Sequence, residues 1–459
     1  MRRIFRGLAI GVLMPALAWA QDARLSGGVP AGPATDSTLQ LSLADAITRG
    51  LKQNLGVILE EQQVRQAGSA RLDALSELLP HLSGTVRESR QIVSLAAFGF
   101  TGFGDIELPP LVGPFNVFDA RLALSTPVID VAAWQKLHAS SALETAAHAD
   151  ARHVRETVVL AVGNLYLLAI ADRARVDSAN AQVATAEALV RLAGDRHAAG
   201  LAPQIDVVRQ QVQLESARAQ QIAATTTLAT RKLQLARAIG LPADQKFELS
   251  TTTAFVAGAA PTLDQALQEA AAHRPDLVSA RARVEAAKAS RRSAAAESLP
   301  SLHVDADVGA IGNEASTADT TYAVAAAVHV PIFNGGKRRA DVQRADAELR
   351  QREAELADLE NGLRYDIEGA LLTLQSAASA VAVAQSAQAL AQNELTQAQD
   401  RFSAGVGDTV ELVQAQEAVA RASEQYIASV YAHTIAKAGL ARAMGSVEER
   451  FLALVGGQQ

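Results

Sequence analysis

An internal duplication constrains this 459-residue chain more than any motif in it. Shifting the sequence by 220 residues aligns 43–82 with 263–302 without a gap. Ten of those 40 pairs are identical, among them Arg71/Arg291, Glu77/Glu297 and Leu79-Pro80/Leu299-Pro300. A shift of 205 aligns 196–240 with 401–445, again gapless, with 15 of 45 pairs identical. Arg196-x-x-Ala199-Gly200 returns as Arg401-x-x-Ala404-Gly405, and the block ending in Gly240 returns as the block ending in Gly445. Alanine-rich sequence raises chance identity, but not agreement at Pro, Gly and Arg. The chain therefore builds one supersecondary unit twice. The drop in offset places about sixteen extra residues in the first copy, between Ser83 and Asp119.

Each copy reads helix, helix, strand, strand, long helix, shorter helix. Ser42 and Thr262 are N-cap candidates for short helices over 42–54 and 262–273. A second helix follows and stops at Pro80 or Pro300. The pattern then changes to period two. Leu302, Val304, Ala306, Val308 and Ala310 alternate with His303, Asp305, Asp307 and Gly309, and Tyr322, Val324, Ala326, Val328 and Val330 share a face on the partner strand. In the first copy Phe118, Ala120, Leu122 and Leu124 alternate with Asp119, Arg121 and Ala123, while the strand after Leu82 is weaker. One apolar and one polar face over roughly ten residues suits a membrane β-strand, with lipid outside and water inside. Four strands cannot close a membrane barrel, which needs about eight, so several chains must pool them. Phe98, Phe100, Phe103, Phe115 and Phe118 cluster in the first hairpin and read as an aromatic girdle or an outward loop.

The long helices give the strongest periodic signal. Between Lys337 and Ala404 there is no proline, and the two glycines are Gly362 and Gly369. Such a helix spans about 100 Å. Ile367, Leu374, Val381, Leu395 and Phe402 hold one heptad position, broken by Gln388, and Ala370, Ala377, Ala384, Ala391 and Ala398 lie between them. The first copy repeats this with Val176, Val183, Val190 and Ala179, Ala186, Ala193. A sustained heptad with an alanine seam predicts a tightly packed, left-handed coiled coil. Gly200 and Gly405 end the long helices, and each chain segment turns back as an antiparallel hairpin.

Met1-Arg-Arg-Ile-Phe-Arg6, an apolar stretch to Trp19 and Ala18-Trp19-Ala20 read as a signal peptide cleaved after Ala20. Cleavage removes Arg2, Arg3 and Arg6 and takes the net charge from −7 to −10. No later segment is expected to match a transmembrane helix. The acidic balance argues against a nucleic-acid partner. With no cysteine, the chain has no disulfide, thiol nucleophile, Cys-ligated metal or lipid-bearing N-terminal Cys. The expected organisation is signal peptide 1–20, N-terminal linker 21–40 and a first repeat 41–240, with strands at about 82–128 and a hairpin at about 131–240. A linker 241–260 and a second repeat 261–445 follow, the latter with strands at about 301–332 and a hairpin at about 335–445. Residues 446–459 form a C-terminal tail.

Signal peptide, duplicated halves, strand pairs ending in Pro127-Val-Ile-Asp130 and Pro331-Ile-Phe-Asn334, and R-x-x-A-G hairpin tips together resemble the TolC-like outer-membrane efflux proteins. The resemblance covers roughly residues 41–445 and rests on order and double occurrence rather than on one motif. It implies a mainly α fold with a small β part, in which a homotrimer pools twelve strands into one outer-membrane barrel and twelve helices into a periplasmic tunnel. It implies an exit duct of a tripartite efflux or type I secretion system, passive and free of cofactors. Its partners would be a periplasmic adaptor, an inner-membrane pump reached through that adaptor, and outer-membrane lipid. By the same resemblance Gly200, Leu201, Gly405 and Val406 are the adaptor-contact tips. Asp206 matches a tip acid of the family that tethers neighbouring hairpins through a Tyr and an Arg, positions held here by Phe402 and Gly407. Glu411 falls where a threefold ring of carboxylates faces the lumen, and Gln414 replaces a second acidic layer. Asp206, Glu411, Phe402 and Gln414 are thus the gate candidates. As plain sequence, Asp206 and Glu411 read equally well as first-turn acids favoured by the helix dipole.

No enzyme is legible. His303-x-Asp305-x-Asp307 on a strand points one way and suits a water-facing wall as well as a metal. Gly335-Gly336-Lys337 lacks the spacing of a phosphate loop, and there is no H-E-x-x-H pair or nucleophile elbow. Two other readings are a protein-secretion duct and a soluble periplasmic scaffold or adaptor. The second has no need of strands with one lipid face and one water face.

Overall fold

A computed structural model describes residues 27–99, 102–103, 106–107, 109–250, 261–407 and 409–455. The signal-peptide reading, Phe100 and half of the 241–260 linker lie outside the described residues. In chain order the elements are β1 (Leu39–Leu41), α1 (Leu43–Gln53), α2 (Leu55–Ser76), β2 (His81–Ser94), β3 (Gly102–Phe103), β4 (Ile106–Glu107), β5 (Leu111–Ile129), α3 (Val131–Ala198) and α4 (Gln204–Ala238). Then come β6 (Phe247–Leu249), α5 (Leu263–His273), α6 (Pro275–Ala296), β7 (Ser301–Gly312), β8 (Asp319–His329), α7 (Lys337–Ser403), α8 (Thr409–Met444) and α9 (Val447–Val455). The caps behave as their sequences demand. Ser42 accepts from the Asp45 amide while Asp45 reaches back, and Thr262 and Gln265 form the same reciprocal box. Asn54, where the second copy has Arg274-Pro275, closes α1, and its side chain accepts from the Gly56 amide at 2.9 Å. Within the stretch expected as a tail, Val447–Val455 is helical. Val447 and Phe451 are buried on α9, an amphipathic turn pattern too short to stand out in sequence.

The contacts divide the chain into two units, each assembled from both copies. One comprises 64–147 and 279–356 and is centred on a four-stranded antiparallel sheet of order β2-β5-β7-β8. Its register puts Leu82 opposite Leu124, Leu122 opposite Val308, and Val308 opposite Tyr322, so these apolar side chains share one face. Much of that face is exposed: Leu82, Val86, Leu122, Tyr322, Val324 and Val328 stand in the open, while Leu124 and Val304 are half-buried. The opposite face carries Asp119, Arg121, Asp305 and Asp307. Helices flanking the sheet are joined by Arg71–Glu144 at 2.7 Å and by an Arg291–Asp346 pair.

The other unit comprises 1–63, 148–278 and 357–459. Strands β1 and β6 pair in parallel and sit on a core of Val158, Val159, Tyr166, Leu235, Ile239 and Phe451. The Tyr166 hydroxyl donates to the Leu41 carbonyl at 2.9 Å, which satisfies the polar tip of a fully buried ring. Farther along, the predicted seams are buried: Ile367, Val381, Leu395 and Phe402 on α7, and Ala179, Ala186 and Ala193 on α3. One sequence expectation needs correction. Both α3 and α7 contain 18-residue windows long and apolar enough to cross a membrane. The cause is the alanine- and valine-rich seam, which raises hydropathy without a continuous run of large apolar residues. In α3 half of that window is buried in protein, against 22% in α7.

Candidate functional site

Both hairpin turns are built by the same backbone device. In the first, the Gly200 amide donates to the His197 carbonyl (2.9 Å) and the Leu201 amide to the Arg196 carbonyl (2.8 Å). In the second, the Gly405 amide donates to the Phe402 carbonyl (3.1 Å) and the Val406 amide to that of Arg401 (3.0 Å). This is the paired 5→2 and 6→1 closure of a helix end. It requires a left-handed residue, and Gly200 (φ 73°) and Gly405 (φ 79°) supply it without Cβ strain. The residues that follow, Leu201 and Val406, are each 71% exposed. Two apolar side chains thus project from the hairpin tips.

The two R-x-x-A-G arginines then diverge. Arg401 pairs with Glu411 across its own turn, Nε to Oε1 at 3.0 Å. Arg196 instead reaches from the first hairpin to the second. Its guanidinium lies 4.7 Å from the centroid of the Phe402 ring, and Nη1 donates to the Phe402 carbonyl. That carbonyl is at the C-terminal end of α7, where a cation is favoured. The Phe402 ring is only 3% exposed and packs with Leu189, Leu395, Ala398, Leu412 and Ala415. Among the gate candidates, then, Phe402 is a core residue beneath Arg196 in this chain. Asp206 is half-buried and closest in charge to Arg209, one turn on, at 3.5 Å. Glu411 sits one repeat-shift from Asp206, and Gln414 is exposed on α8. The cross-hairpin role of Arg196 was not read from sequence, although its place in a twice-occurring motif was the available signal.

A second feature lies elsewhere in the same unit. A cavity of about 740 Å3 is lined by His153, Glu156, Arg274, Asp366, Tyr431 and Arg442. Arg274 is committed to Asp276 (2.6 Å) and Asp366 (2.9 Å). Glu156 is 7% exposed, and no described donor hydrogen-bonds to it. Burial raises its carboxyl to about 7, and burial likewise lowers the His153 imidazole. Sequence gave no hint of this carboxyl, which looks like any acid on a charged helix. The H-x-D-x-D run is spent on neighbours: His303 lies against Ser301, Asp305 accepts from Ser125 at 2.6 Å, and Asp307 accepts from Arg121 at 3.0 Å.

The outer membrane efflux protein family matches residues 51–241 and 266–446, and the chain belongs to that family. It is 31% identical over 325 residues to the pyoverdine export outer membrane protein OpmQ of Pseudomonas aeruginosa, covering 68% of this chain and 64% of that one. The OpmQ of Pseudomonas putida is 28% identical over 294 residues, 62% of this chain and 60% of the relative. The chain thus spans less than two thirds of the length of these curated relatives. In structure it resembles the outer membrane protein VceC of Vibrio cholerae, with a TM-score of 0.74, 17% identity, and coverage of 88% of this chain and 96% of that one. The fold is that of outer-membrane efflux channels, and the protein is not an enzyme.

Proposed function

We propose that three copies of this chain form a passive exit duct in the outer membrane. The observation that carries this reading is the open sheet. It has four strands, an apolar face with large side chains in the open, and no strand partner for the outer edges of β2 and β8 among the described residues. In lipid those edge groups would stay unpaired, which only closure avoids. Two copies would give eight strands, whose interior is filled by side chains, whereas a duct needs a wider lumen. Three copies give twelve. The helical unit supports the same arithmetic. Exposed stripes run along α7 (Tyr365, Leu372, Val383, Leu390) and along α4 (Ile205, Val212, Ile222, Leu233). Apolar stripes on two different helices suit a heterologous interface, which closes into a ring.

In this reading the helices form a periplasmic extension, and the tips at Gly200-Leu201 and Gly405-Val406 meet a periplasmic adaptor. An inner-membrane pump, reached through the adaptor, supplies the energy. Asp206, Glu411 and Gln414 form the gate region, with Phe402 supporting it from the core. The named activity of the Pseudomonas relatives, pyoverdine export, favours a small-molecule cargo over a secreted protein. Deleting the gene in its own host is expected to raise retention of fluorescent efflux dyes and restore it on complementation. Unchanged retention, with unchanged secretion of small molecules, would contradict the duct. At the gate, Glu411→Gln is expected to weaken block by multivalent cations in a planar bilayer. Unchanged block would remove Glu411 from the aperture.

A further inference from the structure

The water-side face of the sheet carries an ion cluster whose geometry is more specific than its composition. Arg121 on β5 is held by two carboxylates: Nε to Asp119 Oδ1 at 2.8 Å on its own strand, and Nη1 to Asp307 Oδ1 at 3.0 Å on β7. The residue of β7 directly opposite Arg121 is Gly309. A Cβ there would lie 2.5 Å from the Arg121 Cβ and 2.5 Å from the Ala120 carbonyl oxygen. The missing side chain is what lets Arg121 lie along the wall toward Asp307. One rung along the same face, Asp305 has only a neutral partner, the Ser125 hydroxyl at 2.6 Å. Arg87 stands opposite Asp119 in the register, yet Asp119 is bound by Arg121 instead. Locally, then, Asp119, Asp305 and Asp307 share the face with two cations, Arg87 and the locked Arg121.

We propose that Arg121 sets the ion preference of the barrel wall. Clamped over Gly309 between Asp119 and Asp307, it cancels part of a clustered negative charge and fixes how strongly the wall favours cationic over anionic cargo. The inference rests on the duct reading above, in which this face lines the lumen. Three-fold pooling turns the residual negative charge of this face into a belt, and a belt of one sign raises the local concentration of counter-ions. Screening limits its reach, since the Debye length is about 30 Å at 0.01 M and about 3 Å at 1 M. The effect of Arg121 should therefore be large in dilute salt and vanish in concentrated salt.

The test is the reversal potential of the reconstituted full-length protein under a KCl gradient, in dilute and in molar salt. Arg121→Gln is expected to shift it toward the cation equilibrium potential in dilute salt alone. Asp307→Asn should shift it the other way, and Arg121→Lys, which keeps the charge, should stay with the wild type. A merely structural role for Arg121 would change the yield of oligomer on unboiled gels without this opposed pair of shifts. If Arg121→Gln fails to assemble, Asp307→Asn and Asp305→Asn still read the wall charge, both toward anions. Channels that conduct normally with reversal potentials unmoved by all these variants would overturn the assignment. A wild-type protein that inserts but never conducts would instead overturn the duct reading beneath it.

Discussion

Glu156 is a carboxyl for which loss of solvent on burial outweighs the pull of nearby Arg152. With a folded value of about 7 against an unfolded 4.5, its neutral form is the one the fold tolerates. The sign follows directly. Below pH 4.5 both states hold the proton and burial costs nothing; as pH rises toward 7 the unfolded chain ionises first, and stability is lost. The loss is complete once the pH exceeds the folded value of about 7. Glu156→Gln should therefore resist thermal dissociation better than wild type above pH 7 and converge with it near pH 4.5. A gap independent of pH would show that Glu156 does not titrate in this window. Arg196 makes the second residue-scale prediction. Its contact with Phe402 is the cation bridge from first tip to second, so Arg196→Gln should raise mean single-channel conductance while the oligomer persists. Unchanged conductance would confine Arg196 to packing.

Among elements, the hairpins show how much of the fold the sequence discloses. The turns are legible because a left-handed glycine is chemically compelled there and occurs twice at one spacing. Gly405→Val is accordingly expected to strain the second tip, costing about 1–2 kcal/mol for a left-handed branched residue. It should impair export while leaving the trimer intact; loss of assembly would make Gly405 a folding position instead. The strand faces were equally plain, since alternation at period two puts Leu122 and Val308 on the apolar side of their strands, whereas their pairing is seen only in the structure. What sequence did not reveal depends on tertiary partners. Phe402 was visible as a heptad residue, but only the reach of Arg196 across hairpins shows that its ring is covered. Arg196 and Arg401 are identical in local sequence yet take different partners, Phe402 and Glu411, because the copies pack in different surroundings. Glu156 carries no local signature at all. Helix α9 was read as tail because its buried pair, Val447 and Phe451, is too short a pattern to separate from chance.

For the whole molecule, the proposed pooling of three chains accounts for each surface that looks unfinished in one chain. Among the described residues the sheet has two edges without strand partners, and large apolar side chains of one face stand in the open. The α7 and α4 stripes leave large apolar residues exposed along helices whose other seams are buried. Isolated apolar residues on a surface are ordinary, but aligned stripes and an unclosed sheet mark surfaces that other copies or lipid cover. The most direct measurement is the mobility of outer-membrane extract on a gel run with and without boiling, followed by native mass spectrometry of the slow band. The account predicts a detergent-soluble, heat-labile complex with the mass of three chains in the outer-membrane fraction. A single soluble chain released from the periplasm would contradict it.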